Sequence, residues 1–461
     1  MKKLLALLLV LCCTFALFAN GAPEAPKAAP AASGKEAWGP APEGTKEVLI
    51  WTFYGETAKN QYQQVVDAFN ASQTKYHVTV EFQGGQAEVA AKLASTENSA
   101  LPAAFHGAVE NTAQFATSGY AVPMQEFIDL DEQGWPELAT TWDAIKSAYQ
   151  DQEGKLWAYP QGYSYGALFY NADMLKAAGI DPATLKSTDD LLAACRKLKE
   201  GGFCSTPIGF HPDGFYFNEM LAREGIMYYD NANGYKGDIT KCLYVSDPKV
   251  NATVAKMLDF YQTLHREGLA VPYGSNYQKE VLPEMGTHNC CFFIGVVSIT
   301  TKILAVAKDF QIGVQPLISV TAEGSRKGEM AGGTGLFIAN NGDKWAQEGA
   351  YEFAKFASQA EQAGYFASVT GYLAPNKGAY ESKIYKDFLE QCPTFATIYD
   401  SLAQSDDSGN NPYIPIGTQM KAANKLAIQT VSSDPTADIQ AVIKTANDTI
   451  QEAIDLYNLS K

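Results

Sequence analysis

The chain has 461 residues, which is enough for two lobes or domains rather than one. Apolar residues make up 46% of it and charged residues only 19%, a balance that excludes a disordered chain. The formal net charge of −16 argues against nucleic acid and anionic membrane surfaces as partners, because both attract clustered positive charge.

The first 21 residues have the pattern of a secretory signal peptide. Lys2 and Lys3 precede an apolar run over residues 4–19, and the small-residue triplet Ala19-Asn20-Gly21 follows. The run is shorter than the ~20 residues that a membrane-spanning helix needs. We therefore expect an exported protein, located in the periplasm or at the outer face of the membrane.

Cys12 and Cys13 leave a lipid anchor open as an alternative. Cys12 follows a short apolar run, as a lipoprotein cysteine does, but Leu11 is bulky where a small residue is expected. Residues 22–46 are rich in Ala, Pro and Gly, which predicts a flexible, extended tether.

The later cysteines and the histidines predict no metal site. The five histidines are scattered, and no CxxC or other metal-ligand spacing appears. We expect neither a metal nor a cofactor. Export permits disulfides, but a chain of this size does not need them. Buried free thiols are the expected state of most of Cys195, Cys204, Cys242, Cys290, Cys291 and Cys392.

The first folded elements predict a parallel sheet. "EVLIWTF" from residue 47 indicates a buried strand, and "HVTVEF" from residue 77 alternates as a second strand. Between them Tyr62, Val65, Val66 and Phe69 follow the i, i+3, i+4, i+7 spacing of a helix. A strand, a helix and a strand in under forty residues form a βαβ unit.

Further elements follow in chain order. "ALFYN" is strand-like, a helix is expected from residue 172 to 178, and Ser187 or Thr188 caps the next helix. "CCFFIGVVSIT" and "GEMAGGTGLFIANN" indicate two more strands, and the last hundred residues are mainly helical.

The stretch "GYSYG" at residues 162–166 fits G-x-S-x-G, the pattern around a hydrolase serine. That site needs a helix directly after the serine and a histidine base nearby. The strand-like "ALFYN" follows instead, so a hydrolase using Ser164 remains only an alternative. The other interpretation places Tyr163, Ser164 and Tyr165 at a crossover between lobes.

Glycines and aromatic residues suggest a site for a small polar ligand. The "AGGTG" stretch at 331–335 lacks the Lys-Ser/Thr of a nucleotide loop, but its glycines would let a ligand approach backbone N–H groups. Tyr54, Tyr163 and Phe215 are candidate ring contacts, because sugars and polyols stack their C–H faces on aromatic rings.

Several blocks in order resemble the extracellular solute-binding proteins of ABC importers, in the branch of the maltose-binding and glycerol-3-phosphate-binding proteins. The blocks that show the resemblance are "VLIWTFYGE", "YPQGYSYGALFYNADMLKAAGID", "VSDPKVNATVAKMLDFYQTL", "GEMAGGTGLFIANN" and "VTGYLAPNKGAY". The resemblance covers nearly all of residues 47–458, and the last block is most similar to the glycerol-3-phosphate-binding type.

The resemblance implies an α/β fold of two lobes, the type II periplasmic-binding-protein fold with a hinged ligand cleft. The implied N-lobe comprises residues 47–158 and 310–345, and the implied C-lobe comprises 160–308 and 346–461. It also implies a monomer with two partners, a small polar solute and the permease subunits of the importer. The resemblance implies a binding protein and not an enzyme.

The resemblance also implies which residues contact the ligand. The family's serine after the crossover falls on Ser164, its glycine pair on Gly332 and Gly333, and the tyrosine of its T-G-Y-L-P turn on Tyr372. A strand-end serine falls near Ser298, and the ligand-stacking tryptophans fall near Phe210 and Phe215.

Besides the tryptophans, which are replaced by phenylalanines, three family positions hold different residue types here. The N-lobe tyrosine falls on Gln86, and the N-lobe glutamate on Val109, with Glu110 next to it. The C-terminal arginine falls near Thr418, with Lys421 as the basic residue close by. Arginine is the side chain best suited to bidentate phosphate contact. Its replacement leaves a glycerophosphodiester or a neutral sugar as plausible as glycerol-3-phosphate.

Two other functions stay open at this point. One is the secreted serine hydrolase that would use Ser164. The other is a surface sensor or adhesin that keeps the fold without transport.

Overall fold

The computed structural model describes residues 34–272 and 276–461. The predicted signal peptide, Cys12, Cys13 and residues 22–33 of the predicted tether lie outside these ranges. Within the rest of the predicted tether, Gly34–Trp38 forms a 3₁₀ helix with no buried residue instead of extended chain. The first strand begins at Lys46, one residue before its predicted start.

The strands of the described residues are short, and most are buried. They are β1 Lys46–Thr52, β2 Tyr76–Phe82, β3 Ala104–Ala108, β4 Ala121–Val122, β5 Ala158–Ser164, β6 Gly166–Asn171, β7 Ile208–Phe210, β8 Ala270–Pro272, β9 Phe292–Val296, β10 Ile312–Pro316 and β11 Gly332–Ala339.

Helices fill most of the remaining chain. They are α1 Glu56–Ser72, α2 Gln86–Ser95, α3 Thr112–Thr117, α4 Gln125–Asp129, α5 Pro136–Ala139, α6 Asp143–Ser147, α7 Ala172–Ala177, α8 Thr188–Glu200, α9 Gly214–Glu224, α10 Asp230–Asn233, α11 Pro248–Arg266, α12 Tyr277–Glu280, α13 Leu282–Gly286, α14 Thr300–Val306, α15 Lys344–Ser358, α16 Ala360–Thr370, α17 Lys377–Glu381, α18 Lys383–Leu389, α19 Ala396–Leu402, α20 Gly417–Ser433 and α21 Ile439–Leu459. Short 3₁₀ helices lie at Asn98–Ala100, Val109–Asn111, Pro182–Thr184, Val297–Ile299, Pro393–Phe395 and Asp407–Gly409.

The first sheet contains the predicted βαβ unit. Its strand order is β2-β1-β3-β11-β4, and β5 pairs with β11. β1 is parallel to β2 and to β3, while β11 runs antiparallel to its neighbours. The predicted apolar face of α1 is buried at Tyr62, Val65, Val66 and Phe69, which confirms the helical spacing.

The second sheet has the order β10-β6-β9-β7-β8. β5 belongs to the first sheet and β6 to the second, and Tyr165 alone separates them in the chain. The chain therefore passes from the first sheet to the second at Tyr165, where the sequence predicts a crossover between lobes. The rings of Tyr163 and Tyr165 are fully buried and do not face solvent.

The sheet pairings differ from two of the predicted lobe boundaries. β10 lies within the segment 310–345 predicted for the N-lobe, yet it pairs with β6 of the second sheet. Helix α15 lies almost wholly within the predicted C-lobe, yet it packs against β1 of the first sheet. An apolar strand can pair into either sheet, and an amphipathic helix can pack on either one. The local sequence pattern therefore does not determine which of the two sheets such an element joins. The rest of the lobe division stays a prediction.

The start of α8 lies where the sequence predicts it, and α7 ends at Ala177, one residue before its predicted end. Ser187 caps α8 in a capping box, because its side chain accepts the N–H of Asp190 and the Asp190 carboxylate accepts the N–H of Ser187. The last hundred residues are mainly helical, as expected. Within residues 34–272 and 276–461, no helix combines the length and apolar character needed to cross a membrane.

Candidate functional site

A cavity of about 210 Å³ lies where the two sheets meet. Elements of both sheets and their helices contribute to it, including the end of β5, the start of β11, the end of β9 and helices α2, α9 and α20. The lining residues are Gln86, Glu110, Ser164, His211, Asp213, Phe215, Tyr216, Val296, Ser298, Gly332, Gly333, Tyr372 and Lys421.

One wall of the cavity is a row of charged and polar groups. Lys421 Nζ lies 3.3 Å from Glu110 Oε1 and 3.8 Å from Asp213 Oδ1. The other carboxylate oxygen of Asp213 lies 3.8 Å from His211 Nε2. Burial by itself lowers the pKa of Lys421, but the two carboxylates more than offset burial and leave the pKa above its usual value. Lys421 therefore stays charged at neutral pH.

Aromatic rings form another part of the lining. Phe215 and Tyr216 are nearly buried and meet edge to face at 5.7 Å. The ring of Tyr372 stacks on Phe366 at 6.2 Å, with 16° between the ring planes. Lys421 Nζ lies 5.9 Å from the ring centre of Phe215. These rings offer flat apolar faces beside polar groups, an arrangement that suits a polyol or sugar.

Tight backbone packing brings the serines and glycines together. Ser164 Oγ accepts the N–H of Ser298 at 3.0 Å. Gly333 has a φ of +96°, and a Cβ there would lie 1.9 Å from the Gly162 carbonyl oxygen. Only glycine fits this approach of β11 to β5.

The cavity brings together eight of the residues predicted from the sequence. They are Gln86, Glu110, Ser164, Phe215, Ser298, Gly332, Gly333 and Tyr372. Their role as ligand contacts stays a prediction.

Three predicted residues do not line the cavity. Tyr54 is 3% exposed and lies behind Tyr372, with 6.4 Å between the ring centres. Tyr163 points to the other face of β5 from Ser164, and its hydroxyl lies 3.5 Å from the Glu329 carbonyl oxygen. Thr418 is exposed, and Lys421, one helical turn later on α20, reaches the cavity instead.

Sequence reasoning missed His211, Asp213, Tyr216 and Val296. The signal that could have revealed Asp213 is its place before α9, where its side chain caps the helix by accepting the N–H of Phe215 at 2.8 Å. This cap predicts that Asp213 lies close to Phe215, a predicted ligand contact. His211 is one of the five histidines whose scattered positions predict no metal site.

The surroundings of Ser164 differ from those of a hydrolase nucleophile. β5 ends at Ser164 and β6 begins at Gly166, so a strand and not a helix follows the serine. The strand-turn-helix bend that exposes a nucleophile in G-x-S-x-G is therefore not formed. In the described ranges, no group of three His, Cys, Asp or Glu side chains is arranged to hold a metal ion.

The six cysteines of the described residues are all buried free thiols, as predicted. Burial raises the pKa of each of these thiols, which keeps them protonated at neutral pH.

Comparisons with known proteins agree with this architecture. The family model described as bacterial extracellular solute-binding protein matches residues 64–391. The sn-glycerol-3-phosphate-binding periplasmic protein UgpB of Yersinia pestis is 24% identical over 338 residues, which are 71% of this chain and 73% of that protein.

Two solved structures share the fold. The GacH receptor of Streptomyces glaucescens, solved unliganded and with acarbose, has a TM-score of 0.71 at 20% identity, covering 90% of this chain and 100% of its own. UgpB from Mycobacterium tuberculosis in complex with glycerophosphocholine has a TM-score of 0.70 at 16% identity, covering 90% and 99%. Together with the sheets described above, they confirm the two-lobe periplasmic-binding-protein fold of the maltose-binding type. The chain belongs to the family of bacterial extracellular solute-binding proteins.

Proposed function

We propose that this protein captures a small polar solute outside the cell and delivers it to the membrane permease of an ABC importer. The observation that carries the proposal is the cavity between the two sheets. A ligand there would contact both lobes and so stabilise a closed state, which is how hinged binding proteins respond to ligand.

The candidate solutes are suggested by the ligands of similar proteins and by the residues that line the cavity. UgpB of Yersinia pestis is named for sn-glycerol-3-phosphate, and the two structural neighbours were solved with acarbose and with glycerophosphocholine. For this chain we propose a glycerophosphodiester, glycerol-3-phosphate or a sugar. The eight predicted residues that line the cavity are the proposed ligand contacts, and we add Lys421, Asp213 and His211 to them.

The proposed location is the periplasm or the outer face of the membrane. The family is extracellular, which supports export. A signal peptide over residues 1–21 and a lipid anchor at Cys12 or Cys13 stay predictions. We further propose that the protein acts as a monomer and that permease subunits are its partners.

The proposal is tested by titration calorimetry and thermal unfolding with glycerophosphocholine, glycerol-3-phosphate, maltose and maltotriose. We expect one of them to bind saturably, and a ligand at 100 times its Kd should stabilise the protein by about 2.7 kcal/mol. If none releases heat or raises the unfolding temperature, the ligand assignment fails.

The hydrolase alternative is tested separately. Wild type and Ser164→Ala are incubated with ester substrates under identical conditions. Turnover by wild type that is lost in the variant would contradict a pure binding role. Transport is tested in membrane vesicles that contain the candidate permease, since a sensor or adhesin would bind the solute but support no uptake.

A further inference from the structure

The cation in the cavity is already neutralised by the protein. Of the described residues that line the cavity, Lys421 alone carries a permanent positive charge. Glu110 and Asp213 lie on either side of it, with the 3.3 Å and 3.8 Å separations given above. Two carboxylates against one ammonium group leave this wall with a net negative charge.

The three groups are held in place by their own elements. Glu110 belongs to the 3₁₀ helix directly after β3 of the first sheet. Asp213 is the N-cap residue of α9, and Lys421 lies on α20. Their side chains are 19%, 23% and 34% exposed. Because Asp213 also caps α9, it cannot turn away from Lys421 without losing that cap.

This geometry has a consequence for anionic ligands. A phosphate group that reached Lys421 would lie close to both carboxylates, and like charges in a partly buried site repel strongly. The ammonium group also lacks the planar fork with which arginine holds phosphate through two parallel hydrogen bonds. An uncharged hydroxyl group is not repelled by the carboxylates and does not need a bidentate partner. It can donate a hydrogen bond to either carboxylate.

We propose that Glu110 and Asp213 are specificity-determining residues that keep phosphomonoesters and inorganic phosphate out of the cleft. The solute captured here then carries no net negative charge, so of the candidates proposed above glycerol-3-phosphate is excluded and a sugar or a zwitterionic glycerophosphodiester remains. This inference rests on the proposed function, because it assigns the charge of the solute that the same cavity takes.

The test uses the full-length protein and two anionic probes, glycerol-3-phosphate and inorganic phosphate, at low ionic strength. The key variant is Glu110→Gln/Asp213→Asn, which keeps side-chain size, and asparagine still caps a helix. Glu381→Gln/Asp387→Asn makes the same change in net charge on exposed residues of α17 and α18, away from the cavity. All titrations are run at pH 8, so that wild type and variants are compared under one condition.

We expect no saturable binding of either anion to wild type or to the control variant. The Glu110→Gln/Asp213→Asn variant should bind at least one anion, with an affinity at least about tenfold above that of wild type. Adding Lys421→Met to that variant should abolish the gain. The single variant Glu110→Gln should show a smaller gain in anion affinity. It provides the test if the double variant does not fold.

Three results would overturn the inference. They are anion binding by wild type equal to that of the variant, no gain in either variant, or a gain that persists with Lys421→Met. The anion titrations decide the question whether or not a neutral solute is found. Failure of the proposed function would appear separately, as a wild-type protein that binds none of the phosphate-free and phosphate-containing solutes.

Discussion

Replacing Arg223 by methionine should destabilise the protein strongly, because the arginine is the cation of a buried ionic cluster. Arg223 is 4% exposed and Glu329 is 1% exposed. The guanidinium donates to the Leu317 carbonyl oxygen at 2.8 Å and to Ser401 Oγ at 3.1 Å, and it also donates to Glu329 and to the Arg326 carbonyl oxygen. Methionine keeps an unbranched chain of similar length, so the main loss is the charge and its hydrogen bonds.

The expected loss is about 3–5 kcal/mol of unfolding free energy, the usual cost of removing one partner of a buried ion pair. Urea unfolding followed by tryptophan fluorescence measures it, and the slope with urea should not change. The matched control is Arg196→Met on α8. Arg196 makes a bidentate pair with Glu267 at 2.7 Å, but its side chain is 44% exposed, so its loss should cost no more than about 1 kcal/mol.

The unfolding free energy lost in Arg223→Met should also depend on pH. Burial raises the pKa of the Glu329 carboxyl, and Arg223 holds it down. Without Arg223, the folded-state pKa of Glu329 rises further above its unfolded value. Stability from such a group is fully present below the unfolded pKa and is lost as pH rises toward the folded pKa. The variant should therefore lose more stability relative to wild type at pH 8 than at pH 5.

Two outcomes would refute this reasoning. One is a loss at pH 7 no larger than that of Arg196→Met. The other is the same deficit at pH 5 and pH 8. Arg223→Met/Glu329→Leu should recover much of the loss, because removing both charges leaves no uncompensated ion.

Three further predictions concern the cleft and the core. Tyr372→Ala should weaken solute binding by about 1–3 kcal/mol in calorimetry, through loss of a hydroxyl and a ring face, while Tyr365→Ala, a partly exposed tyrosine on α16, should not. Equal affinities would return Tyr372 to a packing role. Gly333→Ala should lower the urea midpoint more than Gly154→Ala: both glycines have positive φ, but an added Cβ meets the Gly162 carbonyl oxygen only at Gly333. Alkylation before and after denaturation, read by peptide mass spectrometry, should label only the unfolded chain at Cys195, Cys204, Cys242, Cys290, Cys291 and Cys392; labelling of the native chain would contradict their burial.

Local patterns were sufficient where short-range physics decides the structure. The apolar spacing of α1 and the alternation of β2 predicted the βαβ unit, because the periods of 3.6 and 2 follow from backbone geometry alone. Ser164, Gly332 and Gly333 were predicted from the family resemblance, because they fall on the family's serine after the crossover and on its glycine pair. Ser164 lines the cavity and Tyr163 does not, since neighbouring side chains on a strand point to opposite faces.

The tertiary structure decided what joins distant parts of the chain. Glu110 and Lys421 are 311 residues apart, and only the packing of α20 against the 3₁₀ helix after β3 brings them to 3.3 Å. The choice of Lys421 over Thr418 depends on the rotation of α20 about its axis, which tertiary packing sets. The place of β10 in the second sheet is likewise set by tertiary packing. The sequence by itself determined the βαβ unit, several later strands and helices, the family resemblance and most of the residues that line the cavity. The charge balance at Lys421 required the packed structure, because electrostatic pairing depends on distance in space and not on separation along the chain.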